Sequence, residues 1–204
     1  MAVGHKRGGV TEGTLPERVR HLANAANPAF AVGSVAVPLL FVAASVLLSS
    51  TQLLFYTHVA AGAVWFGFAL IFPAVIGPTL GGLDRDTAAA VTTALTPKVV
   101  FFLLGFSLAT VVSGTILLGS AFGLGYGFDG RWATLSLSLG WGLFAFGLLV
   151  PNRIHLSAYY ESRSDDPDPS RLESIEKKNL VVGLFEAAAM LGIIVLMTGL
   201  RLGA

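Results

Sequence analysis

Four kinds of side chain in this sequence carry chemistry in places where chemistry is unexpected. His58 stands in LLFYTHVAAGAVWFGFALIFPAVIGPTL, residues 53–80, an apolar stretch in which it is the one side chain that ordinarily titrates near neutral pH. A neutral imidazole ligates haem iron or copper, whereas a packing role would spend the ring on a hydrogen bond to Gln52, Tyr56 or a backbone carbonyl. Gly62 and Trp65 come at i+4 and i+7, so all three share one helix face. Met190 and Met197 lie two turns apart in a second apolar run. Thioethers bind Cu(I) and serve as axial haem ligands, and they are equally ordinary gap-filling material. Glu186 is the acid well inside that same run. A carboxylate there needs a partner, a proton or water. Lys98, Arg153 and His155 are the candidate partners on its side of the membrane; a proton or cation path is one reading and an interhelical tether the other, and pairing with Arg153 or Lys98 is the expectation.

These residues need elements that hold them at membrane depth, and composition supplies those. The 204 residues are 54% hydrophobic and 12% charged, with mean hydropathy +0.74. A soluble domain carries about twice that charge. About 20 apolar residues at 1.5 Å rise cross the ~30 Å hydrocarbon core, and five runs qualify. They cover about 29–49, 53–76, 97–120, 132–150 and 180–200. The expected fold class is therefore all-α, a polytopic bundle of five transmembrane helices behind a polar leader, residues 1–28. Pro38 should kink the first span, and Pro97 suits the first turn of the third.

Charge sets the expected topology. With the N-terminus inside, eleven of the thirteen Lys and Arg fall on the cytoplasmic side, leaving Arg131 and Arg201 outside. Lys/Arg excess marks the cytoplasmic face, so the expectation is N-in, C-out in the plasma membrane. His58 then sits roughly 8 Å below the outer interface, five residues into its helix, at the depth of Met197. His155 comes shortly after Pro151 at the inner end of the fourth span, so it and His58 cannot clamp one metal or one haem. His5 and His21 belong to the inner leader.

The connections are short and mostly polar. Residues 14–26 form a short helix capped by Thr14 and Glu17, with Val19 and Leu22 resting on the membrane surface. Residues 84–95 form another short helix on the inner face. Residues 121–131 are a Gly-rich outer loop without the strand and helix of a dinucleotide site. Residues 164–169 are a linker, and Ser170 with Glu173 form a capping box leading toward the fifth span. Among the 24 glycines, Ala63/Gly67, Thr115/Gly119, Ser136/Gly140 and Gly183/Ala187 make small-x-x-x-small pairs that let helices approach, in a compact bundle or a homo-oligomer. Spans two and four share an echo, WFGFALIFP against WGLFAFGLLVP, of the kind a parallel repeat would leave. No cysteine is present, which removes thiolate sites and disulfides. No basic footprint suggests nucleic acid, and no Walker loop, Ser-His-Asp set or HExxH is present.

The pattern His58-x6-Trp65-Phe66-Gly67, then Pro97-Lys98 opening a helix that bears TVVSG (Thr110 to Gly114), resembles copper-resistance protein D-like membrane domains. HemJ-type protoporphyrinogen oxidases have a similar His-then-Trp helix. The resemblance spans about residues 53–200. It implies a compact helical bundle that handles copper, or haem b, at an outer-side site of His58 and Trp65, with Met197 as a further metal ligand. A haem-linked membrane oxidoreductase, and a ligand-free subunit or assembly factor that docks a partner in the bilayer, stand beside it.

Overall fold

In the computed structural model, residues 14–119 and 130–202 are described. Among them every regular element is helical. Helix α1 covers Leu15–Ala26, α2 Pro28–Leu47 and α3 Thr51–Ile71. A single π-helical turn, Phe72–Ile76, carries α3 without a break into α4, Gly77–Gly81. Then come α5 (Arg85–Leu118), α6 (Arg131–Leu149), α7 (Pro151–Ser162) and α8 (Pro169–Leu202). Five units are long and apolar enough to cross a bilayer: α2, α3 through α4, α5, α6 with α7, and α8. The protein is a multi-pass helical membrane protein.

Burial shows the same thing independently. The outer surface is apolar, with Leu47 84% and Val195 70% exposed. The interior is largely apolar too, but it also holds Ser45, Thr57, Thr96, Ser107, Ser113 and Ser136. An apolar exterior with small hydroxyls between the helices is what a lipid solvent demands, because association there depends on close backbone approach and internal hydrogen bonding. Most of these hydroxyls donate to their own i−4 carbonyl, as Ser45 does to Phe41 at 2.6 Å and Thr57 to Leu53 at 2.8 Å.

Helix α5 is the central post, packed by α1, α2, α3, α6 and α7, while α8 lies along α6, α7 and α3. One core cluster joins Val42, Leu54, Ala61, Ala109 and Leu117 across α2, α3 and α5. A second joins Trp65, Ala69, Val111, Leu143, Ala187 and Met190 across α3, α5, α6 and α8. Glycine is indispensable where α2 crosses α5. A Cβ on Gly105 would run into the Ser34 carbonyl and come within 2.8 Å of Val35 Cα.

Several boundaries differ from the sequence reading. Residues 84–95 are not a separate surface helix but the first turns of α5, capped by Asp84, which accepts from Thr87 N at 3.0 Å. Pro97 accordingly lies inside a 34-residue helix instead of opening one. Helix α8 begins just before Ser170 as well: Asp168 accepts from Ser170 N at 2.9 Å, with Pro169 first in the helix, so no Ser170–Glu173 box forms. The Thr14–Glu17 capping box is present. However, Leu22 is buried against the bundle with Ala26, and Val19 alone of the expected pair stays exposed. The outer-loop reading of 121–131 falls largely outside the described residues, as does His5.

Candidate functional site

Among the described residues two hollows open into the bundle, one in each half, and Trp65 lines both. The larger, of about 540 Å³, occupies the half that holds the α2–α3 turn and the start of α6. Its walls come from α3, α5, α6 and α8, with His58, Gly62 and Trp65 together on one side and Met190, Met197 and Thr198 on another. The wall is predominantly apolar. Cofactor and small-molecule cavities fall in the range of about 300–1,000 Å³, with a few polar groups to orient the ligand.

His58 is held by α5. Its Nδ1 lies 2.9 Å from the Thr110 carbonyl and 3.2 Å from Ser113 Oγ. A carbonyl only accepts, so Nδ1 carries the hydrogen and donates. In the neutral ring Nε2 therefore holds the lone pair. Among the described residues Nε2 finds no hydrogen-bond partner, and it is not sealed off: the sealed, unpartnered side-chain atoms there are Ser136 Oγ and Tyr160 Oη. The ring fits because residue 114 is glycine; a Cβ there would lie 2.8 Å from His58 Cε1. This is the arrangement of a ligating imidazole, in which a second hydrogen bond fixes tautomer and ring direction. The backbone-carbonyl bond expected of a packing histidine and the ligating reading are thus compatible, since they use opposite ring nitrogens.

Ser136 is the second polar group of the cavity. It is 1% exposed, and its Oγ has no partner among the described residues. Ser45, Thr57, Ser107 and Ser113 return to their own helix; Ser136 does not. A buried hydroxyl without a partner costs about 1–3 kcal/mol, and this oxygen is sealed from the cavity as well. The spacing of Ser136 and Gly140 suits helix docking, but both face this hollow instead. Trp141, at the rim, donates from Nε1 to Thr115 Oγ1 at 3.1 Å.

The smaller hollow, of about 50 Å³, lies in the other half, among α3, α5, α6, α7 and α8. Glu186 reaches it and accepts a hydrogen bond from Trp65 Nε1 at 3.2 Å. The expected ion pair with Arg153 or Lys98 does not form. Among the described residues the ion pairs are Arg171–Glu161 at 3.1 Å and Lys177–Glu173 at 2.7 Å, and Lys98 and Arg153 are exposed. The physical reason is rotation: both cations point off their helices toward the periphery, while Trp65 projects straight across at Glu186. His155 does line this pocket, packed on Phe72 with ring centroids 5.0 Å apart and interacting with Asn179.

The structure thus brings together His58, Trp65, Met190 and Met197, and separately Glu186, Trp65 and His155. Sequence reasoning missed Ser136 as a site residue, and also Gly114 and Thr110, which seat the imidazole. The TVVSG stretch held that signal, because a glycine beside hydroxyls in an apolar helix marks close approach. No group of three His, Asp or Glu side chains able to hold a metal is found among the described residues. Comparisons of the chain with protein-family models, with curated proteins and with solved structures give no match.

Proposed function

We propose that this protein is a multi-pass membrane protein that holds a bulky, mostly apolar, metal-bearing ligand of the haem type through His58. The carrying observation is an imidazole with its Nδ1 tied to Thr110 and its Nε2 unbonded, in the wall of an apolar cavity of about 540 Å³. The residues suit the group: His58 Nε2 would take the iron, and Met190 and Met197 offer thioethers. A haem bound there would supply one-electron chemistry. The chain's own part is to orient the imidazole, exclude water with apolar walls and set the polarity around the ligand.

Copper handling is the second reading, and one observation favours it: both thioethers line the cavity that His58 lines. His and Met are suited to a passing Cu(I). A single ion would use only a small fraction of that volume, which is why the larger ligand comes first. The excess of Lys and Arg near the α1 end supports placing that end in the cytoplasm, with the His58 cavity toward the outer face of the plasma membrane. The test is an absorption spectrum and metal analysis of the protein purified from membranes, beside His58→Ala. A Soret band lost in the variant supports haem. Stoichiometric Cu(I) lost in the variant transfers the site to copper. A colourless protein that takes up neither haemin nor copper overturns both and leaves a ligand-free subunit.

A further inference from the structure

The half of the bundle away from His58 holds a second polar construction that the ligand cavity does not use. Glu186 stands at membrane depth with one partner, the Trp65 indole, which bonds Oε1. Among the described residues Oε2 finds no hydrogen-bond partner, and it is not sealed off. The hollow beside it, about 50 Å³, has room for a very few waters, since one water needs only about 10–15 Å³. It is too small for an organic substrate.

Two helix interruptions flank this hollow. The π turn at Phe72–Ile76 contains Pro73, and the α6–α7 junction at Val150 (φ −113°) precedes Pro151. Neither proline has an N–H to give the carbonyl four residues back. Those carbonyls belong to Ala69 and Gly147, and both residues line the hollow. Irregular backbone at membrane depth is tolerated where it borders a wet cavity, and π turns occur often at functional sites. Asn152, His155 and Asn179 line the same space. They extend it away from Trp65 toward the end that carries α1.

The charges facing Glu186 are few. Of the elements packed against it, α7 presents His155; α3 presents Trp65, α5 presents Ser107, and α6 presents apolar side chains and Gly147. On α8 itself the facing polar group is Asn179. Among the described residues no Lys or Arg lines the hollow. A carboxylate without a countercharge in an apolar medium becomes neutral by accepting a proton.

We propose that Glu186 is a proton-binding site filled from the α1 end through the water-sized hollow lined by Asn152, His155 and Asn179. A hydrated proton entering from that end adds to the Oε2 lone pair and leaves a water behind, while Oε1 keeps the Trp65 bond. Release is the reverse. The site stands whether or not the His58 cavity takes a haem, because it uses none of that cavity's ligating atoms.

Trp65 is its built-in reporter. Changing Trp132 and Trp141 to Phe leaves it as the single indole of the chain. In nanodiscs without added ligand, its emission should follow a one-proton curve as pH is varied. An infrared acid C=O band should grow with the same midpoint. In E186Q both responses should be lost, and in H155Q the midpoint should move while the response remains. Emission that ignores pH overturns the proposal without any Glu186 variant, as does a titration that survives in E186Q. A response at fixed pH when sodium replaces choline also overturns it, in favour of a metal-cation site.

Discussion

The two halves of this bundle are hollowed by opposite means. On the His58 side small residues, Gly62, Gly114, Ser136 and Gly140, border a wide space between regular helices, and its lining is predominantly apolar. On the Glu186 side the helices are closely packed by aromatic rings, and Pro73 and Pro151 open the backbone instead. The first construction yields about 540 Å³ and the second about 50 Å³. One suits a molecule and the other suits water. Trp65, 6% exposed, divides them, with its ring against the larger space and its N–H on the carboxylate of the smaller.

The largest change should come from removing the imidazole. His58→Ala is expected to abolish binding of haemin or Cu(I), read by absorbance titration, while leaving the Glu186 side intact. Gly114→Ala comes next. Its methyl would displace the ring, and misplacing a ligand through its support costs about 10- to 100-fold in affinity. Should Gly114→Ala bind normally, the ring is not seated as described.

Trp65→Phe keeps the dividing ring but removes the N–H from Glu186. A buried acceptor left without its donor costs about 1–3 kcal/mol, to be read as a lower denaturant midpoint in detergent. Trp65→Phe with Glu186→Leu should restore part of the loss, since no buried acceptor is then left without its donor. Ser136→Ala should act on the protein and not on its ligand. Removing a sealed, unpartnered hydroxyl raises stability by about 1 kcal/mol and leaves ligand affinity unchanged. A variant that loses stability instead would show that Ser136 has a partner.

The smallest expected effect lies outside both hollows, at the start of α5. The hydrogen bond from the Thr87 side chain, followed by that from its backbone, holds the Asp84 carboxyl below its usual value. A depressed folded value means that the contribution is complete above the unfolded pKa of about 3.9. It fades as pH falls through the lower folded value. Thermal midpoints of the wild type and Asp84→Ala should therefore differ slightly near neutrality and converge in acid.

The spans were legible in the sequence because run length and hydropathy are properties of one segment. Their ends were less so. Residues 84–95 look like an independent surface helix until α1 and the α7–α8 linker are in place around them, with Arg85 Nη2 bonded to the Pro167 carbonyl at 3.0 Å. Glu186 announced itself as a charge in an apolar run, but its partner depends on how α3 and α8 rotate against each other, which no single segment encodes. That is why Arg153 and Lys98 looked plausible and Trp65 did not. The His58 cavity was harder still. It is bordered by small residues on three helices, Gly62, Gly114 and Gly140 among them, and Gly140, whose spacing from Ser136 suits a docking stripe, lines the hollow. Of Gly67, Gly140 and Gly183, the last alone, whose Cβ would lie 2.9 Å from Pro73 Cγ, behaves as a tight docking residue.

The central claim is that His58 gives its Nδ1 hydrogen to Thr110 and turns an unprotonated Nε2 to a ligand. Nitrogen-15 NMR of the histidine rings in lipid, assigned by the signal lost in His58→Gln, tests it most directly. The account predicts an Nδ1-protonated ring whose Nε2 resonance shifts when one equivalent of haemin or Cu(I) is added. An Nε2-protonated ring, or an Nε2 signal unmoved by either ligand, would contradict it.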